Sequence, residues 1–127
     1  MSGAPSGVRA MPTDWSDNIV ICDLADEPEL SEELSDLYNK LKERPTDKVP
    51  NVVLNLAGVS YLNSSNIAQI LRIRRRLIES SRSMKLCSVA DGVWSIMLLT
   101  GLDKVFEFVA DKSTAIAALQ IQGAKKK

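Results

Sequence analysis

Two adjacent serines, Ser64 and Ser65, stand between two asparagines and are the residues whose types and spacing best fit a chemical role. They follow an apolar segment and precede a helical pattern, so we expect them at a helix start, where small polar side chains satisfy free amides. A cap explains one such residue, whereas four in succession, Asn63 to Asn66, exceed what a cap requires. A serine at a helix N-terminus also suits a phosphate group, because the amides and the dipole stabilise negative charge. The residues alone therefore indicate a cap, and a further role for the serines stays open at this point.

The composition argues against catalysis and metal binding. The chain contains no histidine, which is the commonest general base and the commonest metal ligand. The two cysteines, Cys22 and Cys87, lie in separate apolar segments without Cys-x-x-Cys spacing, so we interpret them as reduced core thiols. We therefore predict that the protein is not an enzyme and has no catalytic residue, no cofactor and no metal site. The acidic residues between Asp23 and Asp36 are interpreted as a solvated loop and the first turn of a helix.

The charge pattern argues against nucleic acid as a direct partner. Sixteen basic residues balance sixteen acidic ones, so no overall field attracts a polyanion. The four arginines within residues 72–76 do not form one helical stripe, and no aromatic residues alternate with them. No apolar stretch approaches the roughly 20 residues that span a bilayer, and no signal-peptide pattern begins the chain. We expect no membrane insertion and a cytoplasmic location.

The elements that must position the serines alternate along the chain. Apolar, β-branched segments predict strands at residues 18–24, 52–56, 85–90 and 105–109. Helical periodicity predicts a first helix capped by Ser31, and further helices at residues 66–80, 93–100 and 113–121. Strands separated by helices of this length favour an α/β fold with a mixed, mostly parallel sheet and crossover helices packed on it.

The length of 127 residues indicates one domain. We predict that it spans residues 18–122, between a flexible N-terminal tail at residues 1–17 and a basic C-terminal tail at residues 123–127. Trp94, Met97 and Leu98 share a face of the third helix and are predicted to lie in the core rather than in a ligand site.

Two separated motifs give the sequence a resemblance to the STAS domain family, which sulphate transporters and bacterial anti-sigma factor antagonists share. The first is Asn63-Ser64-Ser65-Asn66 after an apolar strand, and the second is Thr100-Gly101-Leu102 near the end of a later helix. The resemblance covers roughly residues 19–119 and implies a single STAS-like α/β domain. The family usually has Asp where this chain has Asn63 and Gly where it has Asn66. These differences are expected to change which kinase recognises the site.

The resemblance also implies a function, namely that of an anti-sigma factor antagonist. In stand-alone members, the serine at the position of Ser64 is phosphorylated by an anti-sigma factor that acts as a serine kinase, and a serine phosphatase removes the phosphate. The unphosphorylated form binds the anti-sigma factor and frees the sigma factor, so transcription is controlled indirectly. The partner-binding residues implied are Leu62, Asn63, Ser64, Ser65, Asn66 and Ile67. The alternative is a scaffold in a stress-sensing assembly, or an accessory subunit of a lipid transporter, without a phosphoswitch; the oligomeric state stays open.

Overall fold

The structure is a computed structural model that describes residues 13–15 and 18–125 of the chain, with side chains for residues 18–121. The helices are α1 (Glu29–Glu43), α2 (Ser64–Glu79), α3 (Asp91–Thr100) and α4 (Lys112–Lys125). The strands are β1 (Thr13–Trp15), β2 (Ile19–Ala25), β3 (Asn51–Gly58), β4 (Met84–Cys87) and β5 (Glu107–Val109). Two short 3₁₀ turns lie at Thr46–Lys48 and Leu102–Lys104.

Within the described residues, five strands form one sheet in the order β1-β2-β3-β4-β5. The pairs β2–β3, β3–β4 and β4–β5 are parallel, and only β1 runs antiparallel to its neighbour. The mixed, mostly parallel α/β sheet predicted from the sequence is therefore confirmed. Each parallel strand is added on the same side of the one before it, and right-handed crossovers then place the connecting helices on one face of the sheet.

The core is divided into a large and a small apolar cluster, because the two faces of the sheet are covered unequally. On one face, alternate strand residues pack against the crossover helices in a large apolar cluster; examples are Val20, Cys22, Val52, Leu54, Leu86, Leu34, Leu37, Ile70, Ile73 and Met97. On the other face, the helix that covers the sheet in the described part of the chain is α4, which packs over a small cluster of Ile19, Val53, Cys87, Ala115 and Leu119. The continuous apolar run of β3 is thus explained, since a central strand covered on both faces needs apolar residues at successive positions.

The ends of the chain differ in part from the tails predicted for them. Three residues of the predicted N-terminal tail, Thr13–Trp15, form β1, and Trp15 pairs with Val20 of β2. Helix α4 continues to Lys125, into the segment predicted as a C-terminal tail. The remainder of the two predicted tails, residues 1–12, 16–17 and 126–127, lies outside the described residues.

The first helix begins earlier than its predicted cap. Ser31 lies inside α1, which starts at Glu29 after Pro28, so the prediction that Ser31 caps this helix is wrong. The capping acceptor is instead the Glu27 carboxylate, to which the backbone N–H of Ser31 donates at 3.0 Å. A side chain four residues before the amide has supplied the acceptor that the helix start requires.

Helix α3 packs on the core through a narrow apolar row. Val93 and Met97 are buried, whereas Trp94 and Leu98 are 37% and 52% exposed. The prediction that Trp94 and Leu98 lie in the core is wrong, because the residues of this helix that are buried against the main apolar cluster are Val93 and Met97, one turn apart. Trp94 instead packs against the Phe108 ring in a T-shaped arrangement, with the ring centroids 5.1 Å apart.

Gly101 ends α3 in the left-handed conformation, with φ of 78°. Most residues with a side chain are strained there, which explains the glycine of the Thr100-Gly101-Leu102 motif. Leu102 directly after it is buried, so the turn returns the chain to the core before β5.

Candidate functional site

The site lies where α2 begins, at the end of the central strand β3. Helix α2 starts at Ser64, as the serine-rich pattern predicts, and Asn63 is its N-cap residue. Ser64 and Ser65 are exposed. Within the described residues no hydrogen bond involves the Ser64 hydroxyl. The hydroxyl is therefore accessible and is not required as a cap.

A reciprocal capping box closes the start of α2. The Oδ1 atom of Asn63 accepts from the backbone N–H of Asn66 at 2.8 Å, and the Oδ1 atom of Asn66 accepts from the backbone N–H of Asn63 at 3.0 Å. Two otherwise orphaned amides are satisfied in this way. The cap role belongs to the two asparagines, which leaves the serines between them free for another role.

Asn66 also connects α2 to the segment before α1. Its side chain is buried, with 1% of its surface exposed. Its Nδ2 atom donates to Glu27 Oε2 at 2.7 Å and lies 3.5 Å from Ser31 Oγ. Because a buried polar side chain needs partners, this amide fixes the start of α2 against the start of α1. Glycine at position 66 could make none of these side-chain bonds.

A second carboxylate holds the loop that leads into α2. Asp26 accepts from the backbone N–H and from the hydroxyl of Ser60, both at 2.8 Å. On the other side of the loop, a side chain at Gly92 would place its Cβ 2.8 Å from the Ser60 carbonyl oxygen, so α3 approaches closely only because this residue is glycine. The loop before Ser64 is therefore held between two neighbouring segments.

The six residues implied as partner-binding occupy different depths. Ser64 and Ser65 are exposed, Asn63 and Ile67 are half-buried, and Leu62 and Asn66 are buried. Leu62 packs in the main apolar cluster. Tyr61, which is 62% exposed, offers the apolar surface next to the serines instead. The surface available to a partner thus consists of Tyr61, Ser64, Ser65 and the edges of Asn63 and Ile67.

Sequence reasoning missed the supporting carboxylates. Asp26 and Glu27 were interpreted as members of a solvated acidic run, yet their oxygens bind Ser60 and Asn66 more than 30 residues away. The only signal in the sequence was their position directly after an apolar strand, since the ends of neighbouring parallel strands meet at one edge of a sheet.

The first turn of α2 can hold a negative charge. The backbone N–H groups of Ser64 and Ser65 have no acceptor among the described residues. The first turn of this helix contains no acidic residue. Free amides at the positive end of the dipole stabilise an anion placed there, by about 0.3–1 kcal/mol for an exposed group. A phosphate on Ser64 would meet this environment.

The supporting carboxylates predict how stability depends on pH. Hydrogen bonds from Ser60 lower the pKa of Asp26, and those from Asn66 and then Ser31 lower the pKa of Glu27. Groups whose pKa is depressed by folding stabilise the protein above their unfolded pKa, and that contribution is lost as pH falls through the folded pKa. We expect the free energy of unfolding, measured in urea, to be steady above about pH 5 and to fall below about pH 4.

A variant with Asp26→Asn and Glu27→Gln should show a shallower decline over the same pH range. Some slope will remain, because the N–H of Thr114 lowers the pKa of Asp111 in the same way. Equal slopes in the variant and the unmodified protein would contradict the assignment.

The neighbouring arginines serve packing and capping. Arg76 donates to the carbonyl oxygens of Leu41 and Arg44 at 3.3 and 2.8 Å and so caps the end of α1. Arg72 lies over the Tyr38 ring at 5.9 Å. Arg75 is exposed and lies 3.8 Å from Glu79. The basic run is thus divided among separate contacts rather than presented as one surface.

Two other kinds of feature, a metal-ion cluster and a membrane-spanning helix, are absent from the described part of the chain. No group of three or more acidic or cysteine side chains is arranged to hold a metal ion in that part. None of the helices described there is both long enough and apolar enough to cross a bilayer.

Comparisons with known proteins agree on one family. The sequence profile of the STAS domain matches residues 22–115. An anti-sigma-factor antagonist (STAS) domain protein from Planctomyces limnophilus is 20% identical, with a TM-score of 0.71 over 85% of this chain and 96% of that one. A putative anti-sigma factor antagonist from Thermotoga maritima is 18% identical, with a TM-score of 0.72 over 86% of this chain and 93% of that one.

The anti-sigma factor antagonist SpoIIAA in its unphosphorylated form is also similar. It is 12% identical, with a TM-score of 0.65 over 90% of this chain and 99% of that one. At these identities, the similarity to solved structures establishes the shared fold.

Proposed function

Because the chain belongs to the STAS domain family, we propose that it is a non-catalytic regulatory binding protein of the anti-sigma factor antagonist kind. Its unphosphorylated form binds an anti-sigma factor that is also a serine kinase. Phosphorylation of Ser64 releases that partner, and a serine phosphatase restores the binding form. The sigma factor is thereby controlled without direct contact between this protein and nucleic acid.

The observation that carries the proposal is the exposed, unbonded hydroxyl of Ser64 in a helix start that needs no serine cap. The asparagines on either side complete the capping box, so a change at the serine leaves the cap in place. The free amides of Ser64 and Ser65 and the absence of an acid from the first turn of α2 also support a phosphate there. The alternative, that Ser64 is only a cap, has no hydrogen bond in its favour.

The chemistry belongs to the kinase. The Ser64 oxygen would attack the γ-phosphorus of ATP, the bond from that phosphorus to ADP would break, and the serine proton would pass to a base of the kinase. This protein contributes a rigid presentation of the oxygen, because the Asp26–Ser60 and Glu27–Asn66 contacts fix the loop and the helix start. An exposed and preorganised acceptor loses little conformational entropy on binding.

The test is incubation of the full chain with ATP and the cognate anti-sigma kinase, followed by intact mass spectrometry. We expect one phosphate on the unmodified protein and none on Ser64→Ala. Ser65→Ala is the matched control, because it removes the hydroxyl of another exposed serine, one residue further along α2, and should still accept one phosphate.

An unmodified protein that gains no phosphate, or a Ser64→Ala variant that gains as much as the unmodified protein, would overturn the phosphoswitch. No phosphate together with no binding of the anti-sigma factor would favour the alternative function, a STAS scaffold or accessory subunit without a switch, whereas undiminished phosphate on Ser64→Ala would move the acceptor to another residue. Binding of the anti-sigma factor without phosphate transfer would keep the antagonist role and remove only its regulation.

A further inference from the structure

A cleft of about 110 Å³ lies at the end of the sheet opposite Ser64, where β4 and β5 begin. The last turns of α2 form one wall, and the residues that lead into the two strands form the other. The volume exceeds the roughly 10–15 Å³ that one water molecule requires and is below the roughly 300–1,000 Å³ of drug-sized pockets. A ligand that fits it has only a few non-hydrogen atoms.

Two arginines, Arg74 and Arg82, line this cleft. Both are half-buried, and neither forms an ion pair with a carboxylate among the described residues. Arg82 is held in position because its Nε atom donates to the Val49 carbonyl oxygen at 2.6 Å. Half-buried guanidinium groups without acidic partners favour an anion, and their planar donor pairs match the oxygens of a carboxylate.

The carboxylate that lines the cleft does not neutralise these arginines. Glu107 is bound by Lys85 at 2.5 Å, so that acid and that lysine cancel each other. The end of α2 does not require the arginines either. Its final carbonyl oxygens on Leu77 and Ile78 already accept backbone N–H groups from the turn that follows. The two arginines therefore leave the cleft with a net positive charge.

Apart from Ser83, the rest of the lining is apolar. Met84 and Phe106 are nearly buried at the base of the cleft, and Ile78 is 56% exposed at its side. A small inorganic anion would leave this apolar surface uncovered. From the two arginines without acidic partners and the apolar base, we propose that the cleft binds a small carboxylate with a short apolar tail.

The test is a nitrogen-15 NMR titration of the full chain at low ionic strength with 3-methylbutanoate, acetate, inorganic phosphate and chloride. We expect saturable shifts at the amides of Ser83, Met84 and Glu107 with 3-methylbutanoate. Acetate should bind more weakly, by roughly fourfold for each buried CH₂ that it lacks, and chloride should give no saturation. Tighter binding of phosphate than of 3-methylbutanoate, or shifts that match those with chloride, would overturn the proposal.

Two variants distinguish binding in the cleft from a general effect of the protein's charge. Arg74→Gln should weaken the binding of 3-methylbutanoate by about tenfold, as expected when a charge-assisted hydrogen bond is lost. Arg75→Gln is the matched control, because it removes the same charge from the next position of α2, where the side chain is 82% exposed. Equal weakening by the two variants would show that only net charge matters and would overturn the site.

Discussion

Phosphate on Ser64 is expected to lower the affinity for the anti-sigma factor by about 100-fold, equivalent to about 2.7 kcal/mol, while the fold stays intact. The added charge of about −1.5 to −2 would lie on the surface proposed to bind the anti-sigma factor, where it would have to lose its water. Within the domain, the same charge meets the free amides of Ser64 and Ser65. The phosphate is therefore expected to destabilise the complex rather than the folded protein.

The measurement is calorimetric titration of the anti-sigma factor with unmodified protein, phosphorylated protein and the Ser64→Glu variant. The glutamate should reproduce part of the loss, because it carries one charge rather than nearly two. Urea unfolding of each form should change by less than about 1 kcal/mol, since the dipole and amides compensate for the charge.

Ser113→Glu provides the control for this experiment. Ser113 is exposed in the first turn of α4, which covers the opposite face of the sheet. The same charge is thus added to a helix start outside the proposed interface, and affinity for the anti-sigma factor should be unchanged. If Ser113→Glu weakens binding as much as Ser64→Glu, overall charge rather than the position of Ser64 controls the complex.

Replacement of Asn66 by alanine is expected to lower the free energy of unfolding by about 2 kcal/mol. The change removes the acceptor for the Asn63 N–H and the donor to Glu27, and both belong to a side chain of which only 1% is exposed. Alanine has a higher helix propensity than asparagine, which offsets about 0.5 kcal/mol of the loss. Urea denaturation followed by circular dichroism measures the change.

Ser65→Ala is the control for this prediction as well. It changes an exposed neighbour in the same turn and should alter the free energy of unfolding by no more than about 0.5 kcal/mol. Similar losses in the two variants would mean that the buried amide of Asn66 has no special role in holding α2 to the β2–α1 segment.

The sequence was sufficient to predict the elements that are marked by a local pattern of apolar residues. The apolar run of β3 and the periodicity of α2 are local features, and both elements form where they were predicted. Strand β1 could not be found in this way. Its three residues carry little pattern, and it forms because the edge of β2 offers unpaired backbone groups.

The exposed residues of the candidate site could be predicted from the sequence, whereas its buried contacts could not. An exposed Ser64 at a helix start follows from residue types alone. The burial of Asn66 does not, because it depends on Glu27, which lies 39 residues earlier in the chain. A polar residue that replaces the family's glycine was expected to face the partner, whereas its side chain turns inward because a carboxylate is there to receive it.

The unequal cover of the two sheet faces has a consequence for the two thiols. Cys22 and Cys87 lie in different apolar clusters on opposite faces, so they cannot form a disulfide with each other in the folded protein. Burial raises the pKa of Cys87 and suppresses its reactivity while α4 is in place. Local opening of α4 is enough to expose Cys87, but Cys22 becomes exposed only when the crossover helices leave the sheet. The reaction rates of the two thiols therefore measure the opening of the two layers separately.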